Sequence, residues 1–325
     1  MDKKTVRIVY MGTPEFAVES LRALVEGGYH VVGVVTMPDK PMGRHGSILH
    51  SSPVKQYAGG QGIPVLQPEK LKDETFLAEL RALKADLQIV VAFRMLPEAV
   101  WNMPPLGTFN LHASLLPQYR GAAPINRAVI NGEKETGVTT FFLTHAIDTG
   151  HIIRQRRLPI AETDDAGSVH DKLMILGAAL VVETVDLLLA GNGRADAIPQ
   201  ETLTASGIEL RPAPKIFKDN SRINWQQPAK AVCNFIRGLS PSPAAWTEWI
   251  VEDTAPQPMK IFRSEILPEM HTLLPGAVRT DGSTYLDVAV TDGFVRLLSV
   301  QLAGKRRLDA KDFLNGLKHA AFTVR

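Results

Sequence analysis

Apolar and polar positions alternate between two periods in the first half of the chain. Residues 6–11 form a short apolar run, Val6-Arg7-Ile8-Val9-Tyr10-Met11, closed by Gly12-Thr13-Pro14. A run of that length bounded by turn residues predicts a buried strand. From Glu15 onward apolar residues recur at helical spacing, at Phe16, Val18, Leu21, Leu24 and Val25. This predicts a helix over 15–25, with Thr13 as its cap, Pro14 in its first turn and Gly27-Gly28 at its stop. The alternation continues with a strand over 31–35, a short helix opening at Ser52-Pro53 and a short strand over 63–66. A helix over 74–83 and strands over 87–93 and 108–111 follow. Strands separated by helices imply a mostly parallel sheet with covered faces.

The pattern then changes. Residues 139–143 and 151–158 predict two strands joined by a turn at Asp148-Thr149-Gly150, and 169–189 predict a long apolar helix packed back on the sheet. Gly191-Asn192-Gly193 stops it. From there to Pro214 the chain is turn-rich and poorly periodic, which suggests a linker. A helix over 228–239 precedes β signals over 246–251, 259–265, 284–290 and 295–300. Pro275-Gly276, Asp281-Gly282 and Asp292-Gly293 punctuate them, as in a small β-barrel of the OB kind. The expected organisation is an α/β domain over 1–190, a linker over 191–209 and a barrel domain over 210–325.

Composition changes this picture little. The 325 residues are 45% hydrophobic and 22% charged, enough for two domains with cores of their own. The formal net charge of +2 gives no global argument for nucleic acid. From Gly207 onward, however, sixteen Lys and Arg face twelve Asp and Glu, leaving twenty against twenty-two in the rest. The basic excess sits in the C-terminal third. A single cysteine, Cys233, excludes an internal disulfide and, in an apolar stretch, reads as a small buried hydrophobe. The first apolar run is too short for a signal-peptide core, and no apolar run approaches the ~20 residues of a membrane span. A cytoplasmic protein without membrane contact is expected.

Candidate chemistry concentrates in Phe109-Asn110-Leu111-His112-Ala113-Ser114-Leu115-Leu116-Pro117, followed by Tyr119-Arg120-Gly121. Positions i and i+2 of a strand share a face. Asn110 and His112 thus pair a neutral hydrogen-bond donor with a group that titrates near neutral pH, at a strand end where ligands dock in α/β sheets. The other eight histidines lack such partners, and no Cys/His or His/carboxylate cluster has metal spacing, so no metal is expected.

Met11-Gly12-Thr13-Pro14-Glu15-Phe16 has one glycine where a dinucleotide fingerprint needs three, and reads as a tight strand-to-helix turn. Asp148-Thr149-Gly150 imitates an aspartic-protease triplet, but that chemistry needs two such carboxylates and the chain has one triplet. Ser114 lacks the Gly-x-Ser-x-Gly elbow of a serine hydrolase. The long loop from Pro38 carries Lys40 and Arg44, with Lys55 beyond it, and is a candidate for contacting a polyanion. Lys305-Arg306-Arg307 is a second basic cluster, which charge alone leaves undecided between solvated surface and phosphate contact.

Together these segments resemble the folate-dependent formyltransferases, and within them those acting on methionyl-tRNA. The elements that carry the resemblance are Met11 to Phe16, Pro38 to Arg44, Ser52 to Lys55, Asn110 to Pro117 and Arg120 to Ile125. Glu135 to Thr139, Asp148 to Gly150, Arg222 to Trp225 and Gly304-Lys305 complete them. Two segments depart from the family pattern. Ala92 to Pro97 is one residue short of the usual Ala-Tyr-Gly-x-Ile-Leu-Pro-like stretch, and the loop after Arg44 is less basic.

The resemblance implies a Rossmann-like formyltransferase domain followed by an OB-like domain that binds tRNA. It implies 10-formyltetrahydrofolate as co-substrate, initiator methionyl-tRNA as acceptor and a monomeric enzyme. Asn110, His112 and Asp148 would be catalytic. Ser114, Leu115, Leu116 and Pro117 would contact folate, and Lys40, Arg44, Lys305 and Arg306 the tRNA. Formyl transfer to a sugar-nucleotide amine and hydrolysis of the formyl folate remain alternatives with the same layout. A catalytically silent RNA-binding protein is a third, against which the intact Asn110, His112 and Asp148 argue.

Overall fold

Strand β1 (Ile8–Gly12) is buried at every position, as a central parallel strand covered on both faces must be. The computed structural model describes residues 1–42, 48–204, 209–251, 255–317 and 322–324. After β1 come helix α1 (Glu15–Glu26), β2 (Val31–Val35), the paired short strands β3 (Lys40–Met42) and β4 (Ile48–His50), and α2 (Pro53–Gly60). Then follow β5 (Val65–Leu66), α3 (Glu74–Ala82), β6 (Leu87–Val91), α4 (Glu98–Trp101) and β7 (Thr108–His112). The chain continues through α5 (Pro124–Ile130), β8 (Glu135–Phe142), β9 (Ile152–Pro159), α6 (Ala166–Ala190) and α7 (Gln200–Thr204). It closes with α8 (Ala229–Leu239), β10 (Ala245–Val251), β11 (Gln257–Leu267), β12 (Val278–Thr280), β13 (Leu286–Val290), β14 (Gly293–Leu302), β15 (Leu308–Asp309), α9 (Ala310–Asn315) and β16 (Phe322–Val324).

These elements form two compact units. The first comprises Met1–Gly121, Thr136–Leu158 and His170–Pro212; the second comprises Ala122–Glu135, Pro159–Val169 and Ala213–Arg325.

The first unit is built on a seven-stranded sheet of order β5-β2-β1-β6-β7-β8-β9. Five neighbouring strands, from β5 to β7, are parallel, and β8 returns antiparallel to β7. The chain runs from β1 to β2 on one side and reaches β6 on the other, so the strand order reverses at β1. In open α/β sheets the crevice for ligands lies at the carboxyl ends near such a reversal. Val9, Met11, Val35, Phe76, Leu80 and Val90 join sheet and helices in one core.

Helix α1 buries Phe16, Val18, Leu21 and Leu24, as its periodicity predicts. Its cap position falls on Pro14, with no side-chain cap bond. Thr13 therefore does not cap it, being one residue too early. Ser52 does cap α2, accepting from Lys55 N at 3.1 Å.

Helix α6 corrects the expectation that no apolar run is long enough for a membrane. It has the length and composition to cross one, with a mean hydropathy of 2.2 over its most apolar window, half of which is buried. The sheet explains much of that hydropathy. Leu173, Leu180, Val181, Val185 and Leu188 are wholly buried, and Thr184 Oγ1 lies 2.8 Å from Thr140 Oγ1 of β8. A Cβ on Gly177 would stand 2.7 Å from Leu111 Cδ2. The missing side chain thus lets α6 lie directly against β7.

In the second unit an antiparallel sheet of order β12-β13-β14-β11-β10-β16, with β15 beside β14, curls into a nearly closed barrel. Register shifts in β11 on either side of Arg263 bend the long β11–β14 pair. Near the closing edge Gly276 N donates to Ala289 O, while Gly276 O accepts from Val324 N. Val232, Ile236 and Leu239 of α8 fill the barrel's core with Trp249, Leu286, Val295 and Phe313. Earlier segments of the chain belong here too. Asn126 Nδ2 donates to Gly238 O at 2.8 Å, and Arg237 Nη1 to Asp164 O at 2.8 Å.

Candidate active site

Strand β7 places Asn110 and His112 at its carboxyl end, with Val90 and Val91 of β6 beside Asn110 and Leu111. His112 is buried, and its Nε2 lies 2.9 Å from Tyr119 O. A carbonyl only accepts, so Nε2 carries a proton. Nδ1 is then the basic nitrogen, and it sits 3.9 Å from Asp148 Oδ2. That distance is too long for a direct hydrogen bond. It suits an ion pair once Nδ1 is protonated. The two side chains are only 8% and 13% exposed, so the pair is little screened by salt.

Asp148 adopts a left-handed φ of 55°, a conformation that Asp tolerates better than most residues. Its Oδ2 accepts from Gly121 N at 3.0 Å, which aims the carboxylate back at the loop after β7. Two residues on, Gly150 is obligatory, since a Cβ there would fall 1.6 Å from Phe142 O. The Asp-Thr-Gly triplet is thus a turn pressed against the end of β8.

Asn110 is half-buried, and its Oδ1 is buried with no protein hydrogen-bond partner. An unsatisfied buried acceptor costs about 1–3 kcal/mol, so this carboxamide oxygen does not contribute a hydrogen bond to the fold.

The loop after His112 is stapled from beneath. Ser114 Oγ donates to Gln118 O at 2.6 Å. Thr139 Oγ1 donates to Ser114 O at 2.6 Å and accepts from Leu116 N at 3.2 Å. Gln155 Nε2 reaches both Thr139 Oγ1 and Leu116 O. Leu116 packs on Phe141 and Ile152. The side chains of Ser114 and Leu116 are consumed in shaping the loop. Leu115 and Pro117 are half-buried and carry its remaining surface.

The segment 92–97 lies at the carboxyl end of β6, next to β7. Ala92 is left-handed at φ 47°. Arg94 donates from Nη1 to Glu69 O at 2.7 Å and from Nη2 to Pro68 O, tying this wall to its neighbour. Burial pushes the Arg94 guanidinium below its ordinary range.

The basic candidates divide. Lys40 is exposed on β3 opposite His50, whereas Arg44 lies outside the described residues. Lys55 is engaged with Asp39 Oδ2 at 2.5 Å, and this bond, with one from Gln67, holds the Asp39 carboxyl below the usual carboxylate range. In the second unit Lys305 and Arg306 are exposed on the turn after β14. Arg307 is anchored over the Phe262 ring at 4.3 Å and donates to Ser299 Oγ at 2.8 Å. Among the described residues no group of three or more His, Cys, Asp or Glu could hold a metal ion.

One residue that sequence reading passes over, Gln200, is wholly buried and bonded to the backbone of Asp148 and Gly150. It lies in the turn-rich stretch read as a linker, where no periodicity marks it.

The mostly parallel sheet thus carries a carboxamide, an imidazole and a carboxylate together at its carboxyl edge. Comparison with known proteins specifies the class. Residues 5–185 match the formyl transferase family, and residues 215–318 match the formyl transferase C-terminal domain. A methionyl-tRNA formyltransferase from Parabacteroides distasonis is 70% identical over 325 residues, covering 100% of both chains. One from Bacteroides fragilis is 65% identical over 316 residues, covering 97% of this chain and 96% of its own. Among solved structures, a sugar 3N-formyl transferase obtained in the presence of dTDP and 5-N-formyl-THF superposes with a TM-score of 0.64 at 20% identity. It covers 93% of this chain and 99% of its own, a likeness of fold. The chain belongs to the formyl transferase family and is a formyl-transferring enzyme.

Proposed function

We propose that the protein transfers the formyl group of 10-formyltetrahydrofolate to the α-amine of methionyl initiator tRNA. The observation that carries this reading is the 70% identity to a methionyl-tRNA formyltransferase along the whole chain, through both units. The sugar-acting relative shares the fold at 20% identity, and fold alone does not fix the acceptor.

The reaction makes three demands. The attacking amine must be neutral, the carbonyl oxygen must be stabilised as it gains charge, and the leaving folate nitrogen must gain a proton. The amine nitrogen attacks the formyl carbon, and the C=O electrons move onto oxygen. Asn110 Nδ2–H donates to that oxygen from a fixed strand position. His112, protonated on Nδ1, supplies a second donor and passes its proton to the departing nitrogen as the C–N bond breaks. Asp148, facing Nδ1, stabilises the imidazolium or takes the proton that the amine sheds. The loop of Ser114, Leu115, Leu116 and Pro117 borders the folate through its backbone and the Leu115 and Pro117 side chains. Lys40 and Arg44 guide the acceptor end of the tRNA, and Lys305 and Arg306 hold its backbone at the barrel.

The test is formyl transfer from 10-formyltetrahydrofolate to charged initiator Met-tRNA, beside an amino-sugar nucleotide and a reaction without acceptor. Formyl-Met-tRNA as the main product supports the reading. Transfer to the sugar, or release of formate without acceptor, overturns it.

A further inference from the structure

Gln200 stands in a turn-rich stretch, yet all of its polar capacity is used inside the first unit. Its Nε2 donates to Asp148 O at 2.9 Å and to Gly150 O at 2.8 Å. Its Oε1 accepts from Arg120 Nε at 3.1 Å and from Arg120 Nη2 at 2.7 Å. Chemistry fixes the orientation of this carboxamide. A guanidinium only donates and a carbonyl only accepts, so the oxygen must face Arg120 and the nitrogen must face the turn.

The two segments joined by Gln200 are the two that meet at the Asp148 carboxylate. Gly121, next to Arg120, donates its N–H to Asp148 Oδ2 at 3.0 Å. On the other side the carbonyls on either side of Thr149 converge on one side-chain nitrogen. Asp148 is in the left-handed region, which Asp tolerates, and two contacts hold it there. The backbone bond from Gly121 fixes the tip of the carboxylate, and Gln200 fixes the peptide from which it projects.

We propose that Gln200 is a positioning residue for formyl transfer. It locks the turn over 148–150 so that Asp148 Oδ2 stays opposite His112 Nδ1, while Arg120 keeps the carboxamide turned the right way. The proposal rests on the roles assigned above to Asp148 and His112.

Two variants of the full chain separate this role from a purely structural one. Gln200→Leu removes both sets of bonds. Gln200→Glu keeps the shape and the acceptor for Arg120 but sets a carboxylate oxygen against the two turn carbonyls. Thermal midpoints are measured beside kcat and KM for Met-tRNA and for 10-formyltetrahydrofolate. The expected result is a fall in kcat of roughly 10–100-fold in both variants, with both KM values within about twofold of wild type. Gln200→Glu, with Arg120 still paired, decides the matter if Gln200→Leu fails to fold. Wild-type kcat in either folded variant overturns the proposal. So does a lowered thermal midpoint with unchanged kcat, or full activity in Gln200→Glu when Gln200→Leu is impaired. The wild-type reaction reads the acceptor independently. If it forms no formyl-Met-tRNA, the function proposed above fails, and the same ratios are then taken on the reaction the wild type does catalyse.

Discussion

At the residue scale, the candidate site brings together three side chains with different environments. The Asn110 carboxamide oxygen is buried without a partner, His112 has one nitrogen committed to Tyr119 O, and Asp148 is aimed by Gly121 N. Asn110→Ala, His112→Ala and Asp148→Ala are expected to fold and to lose most activity, about 10²–10³-fold in kcat for the Asn110 donor. Steady-state kinetics with circular dichroism checks this, and near-wild-type turnover in any one removes its assigned role. The pair on β7 was legible in the sequence because strand geometry puts i and i+2 on one face. The carboxylate of Asp148 was legible as a hairpin-tip residue facing the pair and, through the family resemblance, as a third catalytic candidate, but its distance from His112 was not.

Tyr10 makes a separate prediction about stability. It is wholly buried, its hydroxyl donates to Ala17 O at 2.6 Å, and burial raises its pKa. In the unfolded chain the phenol ionises near pH ~10. The folded state therefore holds a proton that the unfolded state releases, and stability falls as pH rises above that value. The expected slope is about 1.4 kcal/mol per pH unit for this one group. Urea midpoints measured from pH 8 to 11 should fall less steeply in Tyr10→Phe than in wild type, and identical slopes would contradict this.

At the element scale, helix α6 supports the site from behind. Gly177 leaves room for Leu111, which lies between Asn110 and His112 on β7. Gly177→Leu overfills this contact and should cost about 1–3 kcal/mol. It should also lower kcat by displacing the strand that carries the pair. Denaturant midpoints and turnover together test this, and a variant with both unchanged would show that the contact is slack. The sequence predicted the long helix from its apolar run. It did not show that Gly177 is the point of closest approach, because a lone glycine in a helical pattern looks like a weakness until the neighbouring strand is known. The same limit applies to Thr13. Its residue type suits a cap, but the first turn begins one position too late for it to serve.

At the scale of the whole molecule, the catalytic candidates and the Lys305-Arg306 pair fall in different units. Lys305 and Arg306 are on the barrel, and Asn110, His112 and Asp148 are on the sheet. If the barrel holds RNA backbone, binding of Met-tRNA should weaken steeply with salt. Replacing Lys305 and Arg306 together by alanine should flatten the plot of log affinity against log salt by roughly one unit per charge. It should leave the kcat of saturated enzyme unchanged. Filter binding across a salt series measures the slope, and an unchanged slope would move the RNA contact elsewhere.

The sequence by itself determined the alternation of strands and helices, the mostly parallel sheet and the barrel after it. It also determined the shared face of Asn110 and His112. These follow from periods of 2 and 3.6 residues and from turn chemistry, all of which act over a few neighbouring positions. Tertiary structure alone decided that Asp148 comes within 3.9 Å of His112 and that Ser114 and Leu116 turn inward to brace their own loop. It also decided that α5 and the segment before α6 belong with the barrel, and that Gln200 closes on a turn 50 residues earlier. Each of these joins positions distant along the chain, where no local period or propensity carries information. The pairing becomes visible only when packing brings the donors and acceptors within hydrogen-bond range.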